Sequence, residues 1–123
     1  MQKIVETHQK ELLRAFNVAF ACKNVGFIME TISEDIRWYF IGDTVLLGKA
    51  EVFRMLEQLI DKKATEMVIS NIITHGNSGS VNGVLNLESK ISYAFCNVDR
   101  CLGKNAKIKK ISSFIINVSE NEK

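Results

Sequence analysis

Several sequence features that commonly reveal a protein's chemistry are missing from these 123 residues. There is no proline, and the three cysteines, Cys22, Cys96 and Cys101, form no C-x-x-C pair. This pattern argues against a disulfide framework and predicts a reducing, cytoplasmic environment. No group of cysteines, histidines and acidic residues has metal-ligand spacing, so we expect no metal and no cofactor. The Gly48-Lys49 pair lacks the upstream glycine spacing of a phosphate-binding loop.

Charge and hydropathy limit the possible partners further. The net charge of +2 is too small to predict binding to nucleic acid or to an anionic membrane. No apolar run approaches the length of a membrane span, and the first residues lack the apolar segment of a secretory signal. Without a linker or an internal repeat, we expect one domain over residues 1–123, with a frayed charged tail at about 119–123.

Helical patterns dominate the first half of the chain. From Val5 to Cys22, apolar side chains recur at three- and four-residue steps, as on one face of a helix, and Asn17 is assigned to the polar side. Asn24 can cap a short second helix, and a third helix follows Gly48. Between them, the aromatic and β-branched run 36–41 predicts a strand.

Strand patterns fill the second half of the chain. The sequence predicts four strands between Ala64 and Val118: 67–74, 81–87, 91–101 and 108–118. The last two would be joined by a hairpin at Gly103-Lys104-Asn105. Strands joined by such short turns must run antiparallel. The sequence therefore predicts an α+β fold, with the N-terminal helices packed on a curved, mainly antiparallel sheet.

Both faces of this predicted sheet carry large apolar side chains. In the last strand, Phe114 and Ile116 alternate with Ile111 and Ile115. A sheet that is apolar on both faces must have both faces covered, and the helices can cover only one. We therefore predict a homodimer in which a second copy of the chain covers the other face through a two-fold interface.

Six short segments, taken in order, carry a resemblance to a known group of proteins: 33–38, 48–52, 74–76, 81–83, 93–100 and 107–114. Their order resembles the cone-shaped nuclear transport factor 2-like fold, in its SnoaL-like branch, over nearly the whole chain. The resemblance implies a conical pocket and frequent dimers. It implies no single activity, because this fold carries isomerases, cyclases, hydrolases and non-catalytic binders.

The catalytic carboxylates of two enzyme groups in this superfamily are missing from the matching positions. Ketosteroid isomerases, which the chain resembles, place a general-base aspartate near the strand that matches 36–41, where this chain has Trp38-Tyr39-Phe40. Polyketide cyclases place an acidic residue on the last strand, near the apolar Phe114-Ile115 of this chain. Both departures favour a protein without catalysis.

The candidate ligand site combines residues predicted to face the interior of the cone: Trp38, Phe40, Tyr93, Phe95, Asn97 and Asp99. The aromatic rings would supply contact area, and the amide and carboxylate would orient a ligand. Two alternatives stay open at this point. The rings could simply fill the core. Asp99 could lie at the open end of its strand and pair with a lysine of the hairpin or with the neighbours of Arg100.

These residues support three hypotheses about function. The first is a protein that holds a small, largely apolar molecule without catalysis. The second is a small isomerase, cyclase or hydrolase in which Asp99 or His75 serves as general base, since a buried aspartate or a neutral imidazole can accept a proton near neutrality. We expect His75 near the rim of the pocket, although it could equally hydrogen-bond local backbone at a turn. The third is an interaction module that binds a protein partner through its sheet face.

Overall fold

A computed structural model of the protein describes residues 2–102 and 107–119. Three helices and six strands occur in these residues: α1 (Gln2–Cys22), α2 (Val25–Thr31), β1 (Ile32–Phe40), β2 (Thr44–Leu47), α3 (Lys49–Gln58), β3 (Ala64–His75), β4 (Ser78–Leu87), β5 (Ser92–Leu102) and β6 (Lys107–Asn117). Within them, no helix combines the length and apolar character needed to cross a bilayer. The hairpin expected at 103–105 and the tail expected at 119–123, apart from Ser119, lie outside the described residues.

The helix boundaries follow from local capping. Asn24 precedes α2 and its Oδ1 accepts a hydrogen bond from the Phe27 N–H at 3.2 Å, as the sequence predicts. Gly48 precedes α3 with a φ of 87°, a left-handed conformation that favours glycine. The Glu51 side chain in the first turn of α3 accepts a hydrogen bond from the Leu47 N–H at 2.6 Å. These contacts fix where α2 and α3 begin.

The six strands form one sheet in the order β2-β1-β6-β5-β4-β3. Strands β3 to β6 pair antiparallel with their chain neighbours, and β1 pairs antiparallel with β2 but parallel with β6. The prediction of helices packed on a mainly antiparallel sheet is confirmed. The sequence did not predict β2. It predicted that β1 begins at Ile36, four residues after its observed start at Ile32, because Glu34 and Asp35 interrupt the apolar pattern. Both of these side chains are exposed.

The core lies between the helices and the inner face of the sheet, which is the face that the helices cover. Its large buried apolar members come from both layers: Leu13, Phe16, Ile28, Ile32, Ile36, Trp38, Val52, Leu56, Val81, Ile108 and Ile111. Helix α1 approaches β4 so closely that a Cβ on Gly79 would clash with the Leu13 side chain. The helical and sheet layers are therefore in tight contact at the middle of α1.

Candidate functional site

A cavity of about 510 Å³ opens between α1, the residues around α3 and the inner face of the sheet. Its walls are mostly apolar and aromatic: Phe16, Phe20, Trp38, Phe40, Ile41, Leu59, Met67, Leu85, Leu87, Tyr93, Phe95 and Ile115. Six polar side chains complete the lining: Asn17, Lys23, Asp43, Lys62, Asn97 and Ser113. This volume and this mixture are typical of sites that bind small molecules.

Five of the six predicted ligand-site residues line the cavity. They are Trp38, Phe40, Tyr93, Phe95 and Asn97. Side chains on a strand alternate between the two faces of the sheet. Tyr93, Phe95 and Asn97 of β5 are spaced two residues apart, so all three lie on the inner face. The structure therefore shows that the odd-numbered residues of β5 face the helices.

The cavity has a closed end and an open end. The closed end, here called the base, lies at Asn97, because Leu13 packs on Gly79 one step further along the sheet. The open end, here called the mouth, lies at Tyr93 and the exposed residues Asp43 and Lys62. Four residues of β5 separate base from mouth, a depth of roughly 13 Å at the rise of a β-strand.

An aromatic cluster forms the wall near the base. The Trp38 ring stacks on Phe40 with centroids 5.2 Å apart, and lies 5.9 Å from Phe16 and 6.0 Å from Phe20. Trp38 is only 3% exposed, so most of its surface fills the core and its remaining edge meets the cavity. The two interpretations of these rings, core and pocket wall, therefore both apply.

A chain of hydrogen bonds crosses the base. Trp38 Nε1 donates to Ser113 Oγ at 2.9 Å, and Ser113 Oγ donates to Asn97 Oδ1 at 2.6 Å. Asn97 Nδ2 then donates to Asn17 Oδ1 at 2.9 Å, and Asn17 Nδ2 donates to the Leu13 carbonyl at 2.8 Å. Each amide nitrogen carries two hydrogens and uses one in this chain. The base can therefore orient a polar atom of a ligand while every member keeps its own partner.

Sequence reasoning missed two members of this chain. Asn17 was assigned to the polar side of α1, but it is 3% exposed and faces the sheet. Its position four residues after Leu13 and three before Phe20 was the available signal, since residues at these spacings share a face. Ser113 gave no such signal, because a serine in a strand is ordinary on either face.

Asp99 does not line the cavity, contrary to the prediction. It lies on the inner face two residues beyond Asn97, between Gly79 of β4 and Ile111 of β6. It is 2% exposed, and neither carboxylate oxygen has a hydrogen-bond partner among the described residues. Burial raises the pKa of Asp99 to about 7. This burial contradicts the alternative in which Asp99 is exposed at the end of its strand; the hairpin at 103–105 lies outside the described residues.

His75 does not line the cavity either. It is the last residue of β3, is exposed, and pairs with Ser78 at the turn into β4. Thr74 shares the inner face with Gly79 and Asp99, so His75 points to the outer face. The mouth opens at the other end of the sheet, which is why the expected position near the rim does not occur.

Three solved structures resemble this arrangement of helices and sheet. A ketosteroid isomerase-like protein from Kribbella flavida has a TM-score of 0.79 at 13% identity, covering 94% of this chain and 82% of its own. A SnoaL-like protein of the polyketide cyclase type from Shewanella denitrificans has a TM-score of 0.76 at 12% identity, covering 88% and 90%. A nuclear transport factor 2-like protein of unknown function from Cytophaga hutchinsonii has a TM-score of 0.69 at 20% identity, covering 88% and 99%.

The chain has the nuclear transport factor 2-like fold. No protein-family model matches the sequence, and no curated protein matches it significantly. At these identities the likeness concerns the nuclear transport factor 2-like fold alone, so the chemistry must be argued from the cavity. Within residues 2–102 and 107–119, no group of three or more His, Cys, Asp or Glu side chains is placed to hold a metal ion.

Proposed function

We propose that this protein holds a small, largely apolar molecule in the cavity and carries out no chemistry on it. The observation that supports this proposal is the cavity itself: about 510 Å³, lined mainly by aromatic and aliphatic side chains, with a hydrogen-bonded polar chain at its base. Apolar walls favour an apolar body, and the amides of Asn17 and Asn97 can donate to an oxygen where a ligand carries one at its inner end.

The two general-base candidates of the enzyme hypothesis lie outside this lining. Asp99 has the proton affinity of a base near neutrality, but it is buried one step beyond the base of the cavity. His75 is exposed on the outer face. Because neither group reaches the place where a ligand would lie, the proposal contains no catalytic step.

Calorimetric titration with 1-decanol tests this proposal. We expect saturable binding to the wild-type protein and a loss of at least about tenfold in affinity in Leu85→Phe, because the larger ring would take up ligand space. Ile60→Phe is the matched control, since Ile60 is apolar and half-exposed but belongs neither to the cavity lining nor to the outer face of the sheet. Absence of binding, or an equal effect of the two substitutions, would contradict the proposal.

We also propose that the outer face of the sheet binds a second copy of the chain. An unbroken apolar row crosses four strands on this face, because Val68 pairs with Val84, Val84 with Ala94, and Ala94 with Ile116. Ile116 is 65% exposed, and Phe114 beside it is also exposed. Apolar patches of this kind mark interaction surfaces, and a two-fold axis would place one row against another.

We also propose that the protein works in the cytoplasm. Cys22, Cys96 and Cys101 are all free thiols, and Cys22 is exposed. Free cysteines of this kind are typical of proteins kept in a reducing compartment.

A further inference from the structure

The mouth of the cavity carries two ammonium groups that the proposed apolar ligand does not use. Lys23 and Lys62 both line the cavity there, together with the Asp43 carboxylate. The ion pairs found among the described residues join Lys49 to Glu34 and Lys109 to Asp35. Neither cavity lysine has a carboxylate partner in that part of the chain, and the three groups sum to one positive charge.

Lys23 is held against the cavity wall by α1. Helix α1 ends at Cys22, and Lys23 follows it with a φ of 61°, a conformation that helix ends usually give to glycine or asparagine. Its Nζ lies 5.1 Å from the centroid of the Phe20 ring and donates a long hydrogen bond of 3.4 Å to the Phe20 carbonyl. The ammonium therefore lies against a ring that is itself part of the cavity wall.

The environment of Lys23 costs free energy unless an anion joins it. The side chain is half-buried, and desolvation lowers its pKa. A partly buried charge without a counter-ion is unfavourable, and its two existing contacts, an aromatic face and a distant carbonyl, compensate only in part. A carboxylate at the mouth would supply the missing partner.

The direction of α1 places this charge opposite the polar base. Leu13 of α1 meets Gly79 beyond the base, Asn17 bonds Asn97 at the base, and Lys23 follows toward the mouth. A ligand that fills the cavity would therefore have an apolar body along the aromatic wall and one end at Lys23. The distance from base to mouth, roughly 13 Å, matches an extended chain of about ten carbons or two to three fused rings.

We propose that the ligand is an amphipathic carboxylate whose apolar body occupies the cavity and whose anionic end pairs with Lys23, assisted by Lys62. This inference rests on the proposed function, because it assumes that the cavity takes a ligand. It adds a chemical class: long-chain or polycyclic monocarboxylates bind, and their neutral analogues bind more weakly.

Paired titrations with decanoate and 1-decanol test this inference at pH about 7.5, where a carboxylic acid is ionised. Trp38, the single tryptophan of the chain, reports occupancy through its fluorescence. We expect the wild-type protein to prefer decanoate by about tenfold, the usual contribution of a hydrogen bond to a charged group. In Lys23→Met, which removes the charge but keeps an unbranched side chain, the ratio of the two affinities should fall to about twofold or less.

Lys10→Met is the matched control. It removes one positive charge from the exposed side of the same helix, so the net charge changes equally while the mouth stays intact. The control should keep the full preference for decanoate. Lys62 also lies at the mouth but is exposed, so Lys62→Met should lose part of the preference for decanoate. This variant provides a second test if Lys23→Met fails to fold.

The outcomes separate the two proposals. Equal binding of decanoate and decanol, or a preference unchanged in Lys23→Met, would overturn the carboxylate inference and leave the proposed cavity function standing. Failure of both compounds to bind the wild-type protein would overturn both. An equal loss in Lys10→Met and Lys23→Met would show that net charge, rather than the mouth, sets the preference, and would also overturn the inference.

Discussion

Asn97 Nδ2 donates to Asn17 Oδ1 at 2.9 Å, and this bond joins the longest helix to the middle of the sheet. The two residues are 80 positions apart in the chain. Each is also tied to its own layer, Asn17 to the Leu13 carbonyl and Asn97 to the Ser113 hydroxyl. The bond therefore fixes the position of α1 over the cavity as well as the polar character of its base.

Breaking this bond should weaken the fold measurably. We expect Asn97→Ala to lower the free energy of unfolding by about 2 kcal/mol, because Asn17 loses a donor and Ser113 loses an acceptor in a buried setting. Combined with Asn17→Ala, the loss should fall short of the sum of the single losses by about 1 kcal/mol. Urea unfolding measures both quantities. Asn82→Ala, on the outer face, is the control, and additive losses at 17 and 97 would contradict a coupled pair.

Asp99 should make stability depend on pH. Its pKa is raised from 3.8 to about 7 in the folded protein, so the folded state holds a proton that the unfolded chain has released between these values. The stabilisation is complete below pH about 4 and is lost as pH rises to about 7, by an amount on the order of 4 kcal/mol. We expect Asp99→Asn to lack this decline and to be the more stable protein at pH about 8.

Thermal and urea unfolding of both proteins across this range provides the measurement. The difference between wild type and Asp99→Asn cancels the titration of all other groups. A difference that stays constant from pH about 4 to about 8 would mean that Asp99 keeps an ordinary pKa in the folded protein.

Gly83 should tolerate no side chain. It lies opposite Ile69 where the β3–β4 register shifts, and a Cβ there would clash with the backbone carbonyl of Val68. Because backbone cannot move aside as a flexible side chain can, we expect Gly83→Ala to cost about 2 kcal/mol or more. Ser80→Ala on the same strand should change stability by less than about 0.5 kcal/mol. Equal stability of the two variants in urea would contradict the close approach of β3 and β4.

The apolar outer row should hold two copies of the chain together. We expect light scattering to show a dimer at micromolar concentration and Ile116→Arg to give a folded monomer, since a buried unpaired charge is strongly unfavourable at an interface. Ile60→Arg is the control, because Ile60 is equally apolar and half-exposed but lies just beyond α3, away from the outer face. A wild-type monomer would contradict the dimer and would leave the face for a different partner.

The layer architecture could be predicted because its signals are local. Alternation in 81–87 and helical spacing in 5–22 each report a single element, and short turns force antiparallel pairing. Strand β2 escaped notice because it is only four residues long, and Thr44-Val45-Leu46-Leu47 is too short to show an alternation of apolar and polar residues. The parallel pairing of β1 with β6 joins residues about 70 positions apart, and nothing in either segment alone specifies it.

The candidate site was only partly predictable because cavities depend on register. Tyr93, Phe95 and Asn97 were found since alternation fixes which residues share a face. Asp99 obeys the same alternation, yet it lies beyond the point where α1 closes the cone, and the sequence does not show where that point is. Lys23 was missed because its importance comes from the direction of the chain just after a helix end.

Side-chain NMR of the protein titrated with 1-decanol distinguishes a ligand inside the cavity from a ligand on the outer face of the sheet. The single indole N–H, that of Trp38, and the side-chain amides of Asn17 and Asn97 report on the cavity base. We predict saturable shifts of these signals, with the methyl groups of Val68 and Ile116 on the outer face unmoved. Unchanged Trp38 and asparagine signals at saturating decanol, or shifts confined to the outer face, would contradict the account.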